Sequence, residues 1–276
     1  MSNLSKSEIN QYNEKGYLAP VDALTKDEAN EVKDEIEFIE KKWPNELEGL
    51  GRNYVHLISP IFDKVVHNSK ILDAVESIIG KNILVAGTTL FIKDPDKKGF
   101  VSFHQDAKYI GFEPYNWVTV WLAITNSNEE NGCMRMLPAS HKKGMVAHQD
   151  TWDRKNILTR GQTITADIRE KDTIQVELKA GEASLHHVDM FHASGPNNSH
   201  SRRIGLAIRY ITPEARQTRI DEDYATLVSG KDRFGHFKEE IIPKTTMERE
   251  AVDFHARIAE LQGQIYLTKT PRAGLS

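Results

Sequence analysis

The amino-acid sequence predicts an all-β core shaped as a barrel, with flanking α-helices. Three observations point there. Short, β-rich runs bounded by turn residues occupy 84–92, 117–124, 184–188 and 204–211. Side chains in three of these runs alternate between two unlike faces. Helical signals are confined to the flanks, residues 1 to about 80 and 246 to about 263. At 276 residues the chain can bury a substantial core, and no repeat, low-complexity tract or linker divides it. A single domain is expected over 1–276, with helical 1–80 packing on a β core at 84–212 and a loop and helix over 213–276.

The elements follow in order. Ser5 and Glu8 form a capping box before a short helix that stops near Gly16. Thr25 and Glu28 form a second, before a helix ending near Trp43-Pro44 whose Val32, Ile36 and Ile39 share one face. A third helical run, 69–79, is closed by Gly80. In WVTVWLAI, Val118, Val120, Leu122 and Ile124 oppose Trp117, Thr119, Trp121 and Ala123. In RRIGLAIRY, Ile204, Leu206, Ile208 and Tyr210 oppose Arg203, Gly205, Ala207 and Arg209. The first run places Gly87, Thr89, Phe91 and Lys93 on one face. An aliphatic face suits packing on helices. The other face mixes cations, aromatics and small residues, which suits a barrel lumen holding a charged ligand, or a solvated surface.

Composition narrows the function. Thirty-six basic against 40 acidic residues give −4, and no basic tract or basic-aromatic stripe offers a nucleic-acid footprint. No run approaches 18 apolar residues, so no membrane span is expected. The polar N-terminus lacks the apolar core of a signal peptide. The lone Cys133 excludes an intrachain disulfide and points to a reducing compartment. A cytoplasmic setting is expected; oligomeric state is not legible.

Three His-x-Asp pairs stand out: His104–Asp106 in FHQDAKY, His148–Asp150 in AHQDTWD and His187–Asp189 in LHHVDMF. A β-strand end offers two metal ligands in this way, and the 2-His-1-carboxylate triad of non-haem Fe(II) enzymes adds a distant His. With 11 His in the chain a single match is weak, so context decides. His104–Asp106 follows one strand and precedes another, and His192 lies 192 − 104 = 88 residues on, after a β-like run. His148–Asp150 sits in a polar stretch expected to be a loop, and His187–Asp189 is too close to His192 to span two strands. His192 opens HASGPNNSHSRR, a turn that returns Arg203 beside the metal. A bidentate cation there suits the distal carboxylate of a dicarboxylate cosubstrate, unless Arg203 pairs with a surface acid.

HQD at 104–106, VTVWLAI, NGCMRMLPASHK at 131–142 and HASGPN with Arg203 together resemble the phytanoyl-CoA dioxygenase family, Fe(II)- and 2-oxoglutarate-dependent oxygenases on a double-stranded β-helix, the cupin-like jelly roll. The resemblance covers about 84–212 well and the N-terminal helices loosely. It implies His104, Asp106 and His192 as iron ligands and catalytic centre, and Arg203 as clamp of the cosubstrate C5 carboxylate. It also implies that Lys93 and Trp121 help hold 2-oxoglutarate. The implied reaction consumes O₂ and 2-oxoglutarate, releases succinate and CO₂ and hydroxylates a small-molecule substrate. A looser likeness of NILTRGQTI and the 181–211 stretch to a bacterial subgroup suggests a small polar substrate, a phosphonate or amino-acid-like compound, anionic if Arg135 or Arg209 faces the lumen. Either arginine could instead be a structural ion pair. Gly111–Pro114 and 145–172 are the expected lid and pocket loops.

Three rivals differ at named positions. A 2-oxoglutarate-dependent halogenase needs Ala or Gly in place of Asp106. A cupin-like metal protein that works without 2-oxoglutarate usually carries more His ligands and lacks the Arg203 clamp. A non-catalytic jelly roll has no need of Lys93, Trp121 and Arg203 in one lumen.

Overall fold

Two antiparallel sheets face each other across a lumen in the computed structural model, which describes residues 3–267. The larger sheet orders its six strands Tyr17–Asp22, Glu182–His187, Trp117–Ala123, Arg203–Ile211, Ile83–Lys93 and Thr226–Ser229. The smaller orders Val101–His104, His192–Ser194, Met134–Met136 and Ile174–Val176. The expected jelly-roll core with flanking helices is therefore present. Among the described residues no helix is long and apolar enough to cross a membrane.

The alternation read from the sequence separates outside from inside. Val118, Val120, Leu122 and Ile124 join Ile204, Leu206, Ile208 and Tyr210 in one buried cluster. Val32, Ile36 and Ile39 of the Lys26–Lys42 helix and Ile71 and Val75 of the Ser69–Ile79 helix pack into the same cluster. Trp121, Ala123 and Ala207 point the other way, onto Met134, Met136 and Val176 of the smaller sheet. The pleat thus fixes which side chains meet solvent-free lumen, and a one-residue slip would exchange the two sets.

Both capping boxes form, Ser5 with Glu8 and Thr25 with Glu28, and Gly80 ends its helix at φ 86°. The flanks are less purely helical than expected. Tyr17–Asp22 forms an edge strand on Glu182–His187, with a register shift between Leu18 and Val21. Pro20 has no N–H to give, and the irregularity at a sheet edge accommodates it. Pro60–Val66 adds a helix with Pro at its start, and the C-terminal helix runs Arg249–Leu267. His148–Asp150, expected as a loop, is a short strand paired with Gln162–Ile164; backbone pairing overrides its polar composition.

Gly205 connects the fold to the lumen. It lies opposite Ala123, and a Cβ on it would sit 2.0 Å from the Trp121 ring. The missing side chain is what lets the indole lie flat across the neighbouring strand. Gly205→Ala should therefore destabilise the protein by about 1–3 kcal/mol through overpacking. Chemical denaturation would measure this; an unchanged midpoint would show that the indole has room to move.

Candidate active site

The Val101–His104 strand ends at His104, and Asp106 follows at the start of a short helical turn, Ala107–Ile110. His192 opens the neighbouring strand, paired across from His104. The three side chains offer donor atoms within 4.8 Å of one another, the sole such group of three among the described residues. Asp106 Oδ1 lies 3.5 Å from His104 Nε2 and 3.7 Å from His192 Nε2.

Surrounding hydrogen bonds orient each of these groups. Nδ1 of His104 lies 3.0 Å from the Ser102 carbonyl, and Nδ1 of His192 lies 3.0 Å from the Met190 carbonyl. A carbonyl can only accept, so each Nδ1 carries a proton, and each Nε2 faces Asp106. Thr119 Oγ1 donates to Asp106 Oδ2 at 2.7 Å, leaving Oδ1 for the shared centre. Burial alone would raise the Asp106 carboxyl, but the imidazoles of His192, His104 and His186 outweigh it and hold it well below the usual range. Burial, with His104 beside it, holds the His192 imidazole well below its ordinary value. Two imidazole nitrogens and one carboxylate oxygen, converging from a buried rim, suit a divalent transition metal.

The triad stands between two cavities. The inner one, about 70 Å³, is lined by Thr119, Trp121, His186, Ser194 and Arg203 among others, together with the triad. The outer one, about 310 Å³, shares His104, Asp106, Phe91 and Arg209 with it. Arg203 is 2 % exposed, and its Nε has no hydrogen-bond partner. Its guanidinium stacks 5.1 Å from the Trp121 ring centroid, and burial pushes it down to about 10. Trp121 lies two residues along its strand from Thr119, about 7 Å by strand geometry. A five-carbon dicarboxylate spans that distance, so the buried cation and the triad can receive its two ends.

The other expected residues divide. Lys93 lies opposite Arg203 in the register but behind the cavity lining. Its Nζ donates to Ser194 Oγ at 2.6 Å and to the Gly195 carbonyl. Burial and the Arg203 charge push it down to about 6. Arg209 lines both cavities, whereas Arg135 lines neither and pairs with Glu170 at 3.1 Å. His148 accepts from the Gln105 amide at 3.3 Å and meets the Tyr109 ring edge-to-face, a buttress behind the triad. His187 accepts from the Asp189 amide, so this pair closes a turn. Ile157, Leu158, Thr159 and Gln162 of the expected 145–172 loop wall the outer cavity. Gly111–Pro114 does not line it, because Phe112–Glu113 pairs with Arg216–Gln217. Three contributors escaped the sequence reading: the Gly49–Asn53 wall, the Thr119 clamp on Asp106, and His186.

The model of the phytanoyl-CoA dioxygenase family (PhyH) matches residues 12–205. The chain belongs to the phytanoyl-CoA dioxygenase family. Among curated relatives, a protein of Stutzerimonas stutzeri named "Probable alpha-ketoglutarate-dependent hypophosphite dioxygenase" is 28% identical over 173 residues, 58% of this chain and 56% of the relative. A phytanoyl-CoA dioxygenase of Arabidopsis thaliana is 27% identical over 157 residues, 57% of this chain and 54% of the relative. The chain thus spans a little over half the length of these curated relatives. A solved non-heme monooxygenase, ThoJ in its apo form, superposes with a TM-score of 0.80 at 33% identity, covering 93% of this chain and 98% of that one.

The triad geometry gives a direct test. His104→Ala should abolish tight binding of Fe(II) or of a spectroscopic substitute such as Co(II). His148→Ala should retain it. Binding lost in the second variant and kept in the first would move the metal site.

Proposed function

We propose that the protein is an Fe(II)- and 2-oxoglutarate-dependent dioxygenase that hydroxylates a small, polar, anionic substrate. The observation that carries this reading is a buried guanidinium facing a 2-His-1-carboxylate group across a cavity of about 70 Å³. His104, Asp106 and His192 would hold the metal. Arg203 would hold the far carboxylate of 2-oxoglutarate, with Trp121 stacked against the guanidinium and Lys93 tethering Ser194 in the cavity wall. When bound, iron and 2-oxoglutarate supply the oxidising chemistry, releasing succinate and CO₂.

The chain's own residues then orient and exclude. Thr119 fixes the carboxylate so that one oxygen faces the metal position. Apolar neighbours such as Phe91 and Val101 keep the inner cavity poor in water, which strengthens each charged contact inside it. Asp106 occupies the place a halide would need, which favours hydroxylation over halogenation.

Three features support a small anionic substrate. The outer cavity lies at the low end of the ~300–1,000 Å³ range of ligand sites. Its lining carries two arginines, Arg52 and Arg209, and one carboxylate, Asp106. The Stutzerimonas relative is named for a small inorganic anion. Leu50, Ile157 and Leu158 add apolar wall, so a short carbon body with an anionic head fits this lining.

Succinate release, with iron and 2-oxoglutarate, should rise when small phosphonates or carboxylates are added. Product mass in ¹⁸O₂ with chloride present should show added oxygen and no chlorine. Arg52→Met should raise the substrate KM by about tenfold, as loss of one charge-assisted hydrogen bond does, and leave the KM for 2-oxoglutarate unchanged. Stimulation only by a long acyl-CoA would remove the substrate assignment. Metal binding without any 2-oxoglutarate turnover would favour a cupin-like metal protein.

Lys93 supplies a pH signature. Its amine is pushed down to about 6, so near neutral pH it is largely unprotonated. A dianion arriving beside Arg203 offsets that cation and raises the amine's affinity for a proton. Binding of 2-oxoglutarate near neutral pH should therefore take up a proton, and the uptake should fade in mildly acidic buffer, where the ammonium is already formed. Calorimetry in buffers of different ionisation enthalpy measures this, and Lys93→Met should remove it. Equal uptake in that variant would assign the proton elsewhere.

A further inference from the structure

His186 lies on the lumen side of the Glu182–His187 strand, since Ala183 and Leu185 pack outward in the helical cluster. It is 1 % exposed, and neither ring nitrogen has a hydrogen-bond partner. A buried polar group left so is rare and calls for a ligand or water that completes it. His186 lines the inner cavity at its metal end: its ring lies 4.7 Å from that of His192, and Nε2 lies 3.5 Å from Asp106 Oδ2. That oxygen already accepts from Thr119, the residue directly across from His186 in the sheet. At 3.5 Å the separation exceeds a hydrogen bond.

We propose that His186 is a positioning residue that donates a hydrogen bond to the metal-chelating end of 2-oxoglutarate, its C1 carboxylate and C2 ketone. The inference rests on the oxygenase reading above. Every polar atom of 2-oxoglutarate accepts, and an imidazole always carries at least one N–H. Arg203 waits at the far end of the same cavity with its Nε unsatisfied. The two orphaned donors thus bracket one dicarboxylate: the guanidinium fixes its tail, and the imidazole fixes the rotation of its head. Fixing that rotation would keep the outer-cavity side of the triad, lined by His104 and Asp106, clear for a substrate.

The experiment uses the full chain, loaded anaerobically with Fe(II). Dissociation constants for the metal and for 2-oxoglutarate are measured separately, the latter by the visible charge-transfer band of the chelate and by calorimetry. His186→Phe fills the same space without a donor, and His186→Gln restores an N–H near Nε2. His186→Phe is expected to weaken 2-oxoglutarate binding about ten- to a hundredfold, the worth of a hydrogen bond to a charged group. Metal affinity and melting temperature should stay unchanged, and the charge-transfer band should shift. His186→Gln should recover most of the affinity. Equal 2-oxoglutarate binding in wild type and His186→Phe overturns the proposal and leaves the oxygenase reading intact. Parallel loss of metal affinity also overturns it, because His186 would then act through Asp106. A wild-type protein that binds metal and no 2-oxoglutarate overturns both. If His186→Phe fails to fold, His186→Gln against His186→Leu decides by the same criteria.

Discussion

A guanidinium closed inside a barrel sets the terms for the rest of this structure. Arg203 is buried at 2 % exposure, and the contact made by its head group is the Trp121 ring, not a carboxylate. Removing such a charge from water costs several kcal/mol after relaxation. A cation–π contact returns about 2 kcal/mol when desolvated. The remainder is borne by the rest of the fold unless an anion offsets it. The fold accordingly places small residues around the arginine: Gly205 gives the indole room, and Ala207 and Ala123 keep the floor open. The His104, Asp106 and His192 group lines the same cavity as this arginine.

The parts of this arrangement that follow from periodicity were legible in the sequence. The central strands carry two chemically opposite faces, so their phase put Arg203, Trp121 and Arg209 on the face opposite the aliphatic one, lumen or solvated surface, before any coordinates. The first two helices were legible because each opens on a capping box that local hydrogen bonds satisfy. The Tyr17–Asp22 strand was not, since it is short, interrupted by Pro20, and stabilised by a distant partner strand. His148–Asp150 was hidden for the same reason: its pairing with Gln162–Ile164 is tertiary information.

The site divides along the same line. His104, Asp106 and His192 could be chosen over two other His-x-Asp pairs by the strands around them. The phase of 184–188 was there to be read, since Ala183 and Leu185 are the aliphatic set, and it would have turned His186 inward. The adjacent His187 and a competing His187–Asp189 pattern obscured it. Lys93 is a different case. Its face is lumenal by alternation, and its amine reaches across to Ser194 and Gly195 at the facing sheet.

The two cavities differ in how they are built, and this explains why chemistry was easier to read than substrate. The inner cavity is drawn from paired strands, whose register holds side chains to fixed positions. The outer cavity takes much of its lining from Gly49–Asn53, a short 3₁₀ helix with its C-terminal flank, and from loop residues 157–159, neither of which carries a strand or amphipathic-helix pattern. A strand site tolerates no insertion without breaking register. A loop wall can change length or residue at little cost to the core. A sequence therefore carries the periodic signature of the inner cavity, while the outer cavity is written in positions whose meaning appears only when the chain is folded. Arg209 belongs to both: its strand phase made it visible, and its guanidinium lines the inner and the outer cavity beside the triad.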